Sequence, residues 1–366
     1  MTLRTCEGLG PLPDRLVLSR SLGAIHLAAL ARLAPDEHVL FAPNLAFSDA
    51  AFSRVLREGR ASGDARLVLD AETLRSIAGL TAEQAVFTYL RGEVTAERVA
   101  ALPERIVPVP ETELPGFNLP DGPMRVVDEW ALPVGHWAQL LWANLLGLGP
   151  ALWSQLGAGV GGALRLAWGA ARAGSLAPHL VAAHVNSLGT RAQVHPHATV
   201  EGSVLGAGAW VGAGAVVRGC VLGEGARVED LALVEGSVLG PRACVQRMSM
   251  VKYCLLEAGA HAAGTQQLAV LGAGAQVKHG AILMDQSFGD GVRVRVGDGL
   301  QRAPHGMLGV CVGPGAVIGS GVRVAAGRAI PAGLTVVCDP ASVVAKVTVP
   351  EGTRMARAMD GGLQPL

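Results

Sequence analysis

From residue 194 onward the apolar positions keep a rhythm that neither a helix nor an isolated strand produces. Aliphatic residues stand at Val194, Val200, Leu205, Val211, Val217, Leu222, Val228, Val234, Leu239, Val245, Val251 and Leu256, in steps of five or six, so that three steps sum to 17. Two residues before most of them sits a small side chain, as at Ala198, Ser203, Ala209, Cys220 and Ser237, and Gly often follows. EGSVLG at 201–206 returns at 235–240, with GCVLG at 219–223 midway between. A fixed short period of this kind marks a stacked architecture. Three short strands per period make a triangular coil. One aliphatic per side points inward, and a small residue lets the chain turn each corner. Coils stack at the ordinary inter-strand spacing of about 4.8 Å. Ser203, Cys220, Ser237 and Cys254 then form one ladder. Cys220 and Cys254 lie two coils apart, about 10 Å, which is too far for a disulfide.

A second run, Val312, Ile318, Val324, Ile330 and Val336, is strictly hexameric and closes with GRAIPAGLTVVCDPASVVAKV at 327–347. Between the runs the rhythm fails. Leu268 and Leu271 are only three apart, Val277 and Leu283 keep a step of six, and from Asp285 to Leu308 the pattern is gone. Within that gap VRVRV alternates over 292–296 and meets Gly297-Asp298-Gly299, which predicts a hairpin flap over 285–308. A loop of this length in a compact repeat points to function or disorder.

Ahead of the repeat, RLVLS (15–19), HVLFAP (38–43), ARLVLD (65–70), AVFTYL (85–90) and RIVPVP (105–110) read as strands. SLGAIHLAALARL, SDAAFSRVLREGR and TAERVAALPE have helical periodicity, with Ser48-Asp49 as a helix start. Alternating strands and helices predict an α/β domain over 1–125, a shortened Rossmann-like layer. A connector follows over 126–190. It has no Asp, Glu, Lys or Arg from Trp130 to Leu164. Trp137, Leu140, Leu141, Leu145, Leu148 and Leu152 make a helical stripe whose other faces are also apolar. Gly147, Gly149 and Pro150 are expected to break the run, which argues against a membrane span. The segment reads as a helical bridge packed between domains or subunits, with a peripheral membrane contact through 130–164 as the alternative. The β-helix is assigned to 191–350 and a tail to 351–366.

The aliphatic-Gly-x-x-small-x grammar resembles the hexapeptide repeat of left-handed parallel β-helix transferases, over roughly 190–345. The five-residue side is similar to the β-helices attached to bacterial sugar nucleotidyltransferases. The last coil, with Ile-Pro followed by Pro-Ala and two valines, looks like that family's usual close. The resemblance implies a homotrimer with the substrate between two prisms. It also implies an acyl-CoA or acyl-carrier donor, a His base, and a loop reaching a neighbouring subunit. HVLFAPNLAFSDAAFSRVLREG is similar to the nucleotidyltransferase strand-loop-helix, which makes Asn44 the counterpart of a nucleotide-proximal Asp or Asn. Trp142 and Asn144 look like the Trp and Asn of the helix leading into such β-helices. The Gly-rich phosphate loop of active nucleotidyltransferases is missing, and so is a convincing metal-binding Asp. The N-terminal domain therefore reads as a degenerate relative.

A near-neutral pKa suits His to general-base work. Of the candidates, His279 sits just before the flap, with Asp285 as the carboxylate to orient it. His261, Gln266, Gln267 and His305 are assigned to substrate binding along with Asn44. His261 and His279 are 18 apart, not the five that a γ-carbonic-anhydrase-like zinc site needs; His179 and His184 have that spacing but precede the repeat, so no metal is expected in the β-helix. Thirty basic and 30 acidic residues balance to zero net charge, and without a basic run nothing points to nucleic acid. The opening MTLRTCEGLGPLPDRL has no apolar core, and six Cys lack paired spacing, which together suggest a reduced, cytoplasmic protein that could associate with a membrane. Two functions from different classes follow: an acyl- or acetyltransferase acting on a sugar-nucleotide or amino-sugar acceptor, or a non-catalytic trimeric scaffold. A sugar-phosphate nucleotidyltransferase is the third reading.

Overall fold

A computed structural model describes residues 5–6, 10–11, 16–17 and 20–366, apart from 79, 81–83, 120–121, 158, 178–179 and 182–183. His179 and most of the 15–19 strand lie outside these residues.

The N-terminal layer is α/β, built on a sheet in the order 37–41, 86–91, 65–70, 104–108. The alternation in ARLVLD becomes a strand with every second residue buried. Helix α2 (Asp49–Ser62) covers it, and Ser48 caps that helix, its Oγ accepting from the Ala51 amide at 3.0 Å. Helices α1 (Leu22–Leu30), α3 (Glu72–Ala78) and α4 (Ala96–Ala100) complete the layer. The sheet is mixed, not Rossmann-like throughout: only 65–70 and 104–108 run parallel, while 86–91 pairs antiparallel with both neighbours. Glu37 is buried and held by Arg60 at 2.7 and 2.8 Å and by the Tyr89 hydroxyl at 2.8 Å. The guanidinium keeps its carboxyl well below the usual carboxylate range.

The connector forms α5 (Trp137–Leu156) and α6 (Gly159–Ala173). Pro150 lies inside α5 and does not break it. The missing amide removes one helical hydrogen bond. The preceding turns are locked by burial all round, from Trp137 to Leu148. His136 caps the N-terminus: its Nδ1 accepts from the Ala138 amide at 3.1 Å, and Gln139 Oε1 accepts from the His136 amide at 3.2 Å. The Asn144 side chain turns back on its own helix, donating to the Leu140 carbonyl at 2.9 Å.

The C-terminal part is a three-sided parallel β-solenoid, consistent with a left-handed β-helix. Its described strands form faces of eight, eight and seven. The first face runs from Asn186–Leu188 to Ala329–Ile330, the second from Gln193–Val194 to Thr335–Val336, and the third from Thr199–Glu201 to Arg323–Val324. The inward aliphatics make one continuous core. The Ser/Cys ladder has a specific job. Ser237 Oγ donates to the Glu235 carbonyl at 2.7 Å and accepts the Cys254 amide of the next coil at 3.0 Å. Ser203 does the same for Glu201 and Cys220. Burial pushes the Cys220 and Cys254 thiols up to about 12, so they are inert polar fillers.

The first face is buried on both sides. Val221, Val238, Leu255, Val270 and Cys311 point outward and share one core with α5 and the flap. The apolar surface of α5 is therefore consumed between the α/β layer and the prism. The flap forms the expected hairpin, Arg293–Val296 with Gly299–Arg302. It folds over its own chain: Val292, Val294 and Leu308 are buried in the α5 core. The His136 Nε2 meets the Arg295 carbonyl at 3.1 Å.

Candidate functional site

The feature that singles out one part of the prism is a coil two residues short. Between the second and third faces, five residues normally separate successive inward positions, as from Val245 to Val251 and from Val277 to Leu283. In the coil between them only Ala263, Gly264 and Thr265 separate Ala262 from the next inward residue, Gln266. The register leaves no doubt about what is missing. Thr265 pairs with Met250 and Gln266 with Val251. The Met250 amide donates to the Gly264 carbonyl at 2.8 Å and the Ala263 amide to the Val277 carbonyl at 3.1 Å. Gly264 thus takes the place that Ser249 and Ala281 hold in the neighbouring coils. The absent residues are the corner tip, equivalent to Arg247-Met248 before and His279-Gly280 after.

The omission leaves a notch one coil high, its two lips about 10 Å apart at the stacking distance. Arg247 forms one lip and reaches Asp230 at 3.3 Å. His279 and Gly280 form the other, both exposed, beside Lys278, whose Nζ donates to Gln276 Oε1 at 2.7 Å. Elsewhere along this corner a tip amide donates to the tip carbonyl of the preceding coil: Leu231 to Ala213 at 2.9 Å, Met248 to Asp230 at 3.1 Å, Gly321 to Gly280 at 3.2 Å. Gly280 has no preceding tip, and its own N–H has no acceptor among the described residues. A backbone donor and an imidazole on adjacent residues therefore share the rim of one notch. That pair can take a proton from a nucleophile and hold a developing oxyanion.

The other expected residues fall in several places. His261 lies on the outer side of the second face, half-buried, between Cys244 and Gln276, one strand before the short corner. Gln267 faces outward on the third face, opposite Lys252. Gln266 is enclosed in the prism, where Val217, Val234 and Val251 precede it in the same ladder. Its Nε2 donates to the Ala263 carbonyl at 2.5 Å and its Oε1 has no partner among the described residues. It props the notch from inside and presents nothing to solvent. Leu268 is not an inward aliphatic; it occupies a turn at φ 51° and packs in the α5 core. Asp285 sits at the next corner, at the far end of strand Ile282–Leu283 from His279, and no hydrogen bond joins the two among the described residues. Its carbonyl accepts from Leu308 at 3.1 Å, closing the base of the flap, and burial raises its carboxyl pKa. His305 lies in the flap with φ 57° and packs edge-on against Trp142, ring centroids 5.0 Å apart. Asn44 is buried in the α/β layer, its carbonyl accepting from the Val134 amide at 2.7 Å. Among the described residues no group of three or more His, Cys, Asp or Glu could hold a metal ion.

The notch falls within a segment, residues 190–282, that matches the family model described as GlmU-like, C-terminal hexapeptide. The likeness is confined to those coils of the solenoid. The α/β layer lies outside that match. No curated protein sequence matches the chain. Among solved structures, a hexapeptide transferase family protein from Anaplasma phagocytophilum is 20% identical, over 41% of this chain and 72% of that one, with a TM-score of 0.26. PerB from Caulobacter crescentus, in complex with CoA and GDP-perosamine, is 19% identical over 41% of this chain and 52% of its own, with a TM-score of 0.16. The acetyltransferase domain of PglB from Neisseria gonorrhoeae is 18% identical over 74% and 94%, with a TM-score of 0.15. Arg247, Lys278 and Gly280 are additions to the sequence-derived site. The signal for them is the 15-residue coil, hidden because a glutamine takes an inward position.

Proposed function

We propose that this chain is an acyltransferase whose reaction takes place at the notch beside His279. The donor is an acyl thioester, acyl-CoA or an acyl carrier, and the acceptor is an amine or hydroxyl of a sugar-nucleotide or amino sugar. The reading rests on one observation: His279 and the unpartnered Gly280 N–H border the same opening in a hexapeptide domain. His279 takes the proton from the acceptor, whose nitrogen or oxygen attacks the thioester carbonyl. The carbonyl oxygen gains negative charge and is met by the Gly280 N–H. Collapse of that intermediate breaks the carbon–sulfur bond, and the thiolate leaves with the proton that His279 returns. Arg247 and Lys278 supply positive charge for anionic parts of either substrate.

The same corner carries the exposed apolar side chains of Leu231, Met248, Met250 and Ile282. A neighbouring prism packed there would cover them and close the notch, which supports a homotrimer with the reaction between subunits.

The test is thiol release from acyl-CoA with a panel of amino-sugar and sugar-nucleotide acceptors. His279→Ala should lower kcat/KM by about 10²–10⁴-fold with circular dichroism and solution mass unchanged. An unchanged rate overturns the assignment. Absence of both turnover and any ligand-induced rise in Tm would favour the non-catalytic scaffold.

A further inference from the structure

Helix α6 is built inside out. Gly162 and Gly169 face its neighbours at contact distance: a Cβ on Gly162 would lie 2.3 Å from the Gly157 backbone, and one on Gly169 would lie 2.5 Å from Val185. These glycines fix which side of the helix faces the protein, and Leu166 and Ala170 pack on that side too. The opposite side carries Val160, Ala163, Leu164, Ala167, Trp168 and Ala171, at i, i+3, i+4, i+7, i+8 and i+11, all exposed. Val160 is 80% exposed, Leu164 67% and Trp168 56%. A helix of a water-soluble surface places such a stripe against its own core. Leu176 and Leu180 extend the apolar surface beyond the helix.

The charge around this stripe points to its occupant. No Asp or Glu occurs anywhere from 130 to 200, whereas Arg165, Arg172 and Arg191 do. The Arg172 guanidinium lies over the Trp168 ring, 5.1 Å from its centroid. A Trp beside an Arg at the edge of an apolar stripe, on a helix free of acids, is the composition that settles into the headgroup region of an anionic bilayer. A second copy of this helix would instead bring further arginines with no carboxylate in the segment to offset them. We propose that α6 lies in the plane of an anionic lipid surface, with Val160, Leu164 and Trp168 inserted and Arg172 on the headgroups. The membrane contact moves from α5, which is buried, to α6. Among the described residues no helix is long and apolar enough to cross a membrane, so the attachment is peripheral.

The experiment is flotation of the full chain with vesicles of phosphatidylcholine, with and without phosphatidylglycerol. The chain should float with the mixed vesicles, and added salt should release it. The double variant Leu164→Glu/Trp168→Glu should lose binding by about tenfold or more, while its circular dichroism and Tm stay as in the parent. Arg172→Ala should weaken binding to the mixed vesicles only. Failure of the parent chain to float overturns the proposal. So does a change of solution mass in the double variant, by light scattering, with flotation intact, because the stripe would then be a protein interface.

Discussion

His136 joins helix α5 to the flap through one ring. It caps α5 with Nδ1, which accepts from the Ala138 amide, so the proton must sit on Nε2, which donates to the Arg295 carbonyl of the flap. Burial, opposed only in part by that hydrogen bond, lowers its pKa to about 4. In the unfolded chain an imidazole titrates near 6.5, so between these values the unfolded state binds the extra proton. The stabilisation is complete above about pH 6.5 and is lost as pH falls toward 4, by on the order of 3 kcal/mol. Urea unfolding at pH 7 and pH 5 measures it. His136→Asn keeps an N-cap acceptor and removes the titration, so its stability should change less between the two pH values. Equal pH dependence in both proteins would count against this role for His136. The cap was not visible in the sequence, where His136 was one polar residue in a charge-free run. The Ser/Cys ladder was visible, because the backbone bonds it makes recur with the repeat itself.

The element that decides the candidate site is a single corner. Each regular tip ends on a left-handed residue, such as Leu231 at φ 59° and Met248 at φ 58°. Asn-Gly inserted between Ala263 and Gly264 matches that geometry, since Gly adopts positive φ without strain. The insertion should restore a 17-residue coil, give the Gly280 amide its acceptor and fill the notch. We expect a Tm no lower than the parent's and acyl transfer reduced at least about 100-fold, the scale of losing both a positioned base and an oxyanion donor. Full activity in the insertion variant, measured by thiol release, would show that the reaction lies elsewhere. As a candidate, His279 is legible from its place before the flap. The notch was not, because a scan for aliphatic positions passes over Ala262 and Gln266 and lands on Leu268.

At the scale of the whole molecule, α5 is the shared core. Trp142 is buried beside His305 of the flap and lies in the same core cluster as the α/β layer and the outward residues of the first face. Its truncation leaves a cavity in that shared core. Trp142→Ala should cost about 3–5 kcal/mol. It should also uncouple the α/β layer from the prism, so that a calorimetric scan shows the layer melting ahead of the solenoid. A loss under about 1 kcal/mol, with one unchanged transition, would mean that the helix does not couple them.

The amino-acid sequence by itself determined the prism, because each coil is specified locally, by an inward aliphatic, a small corner residue and a turn. It even marked the face that α5 would cover. Val221-Leu222, Val238-Leu239 and Leu255-Leu256 are apolar on both sides, whereas Arg227-Val228 and Gln276-Val277 are apolar on one. Three things were left to the tertiary structure: which residue turns inward in the short coil, which way the flap folds, and which side of α6 meets solvent. In the short coil, the ladder bonds of the neighbouring strands set the register and carry Gln266 inward despite its polarity. The flap closes over its own chain because the outer side of the first face and α5 together offer the apolar surface that Val292, Val294 and Leu308 need. The orientation of α6 follows from two glycine contacts, at Gly162 and Gly169, that only close packing reveals.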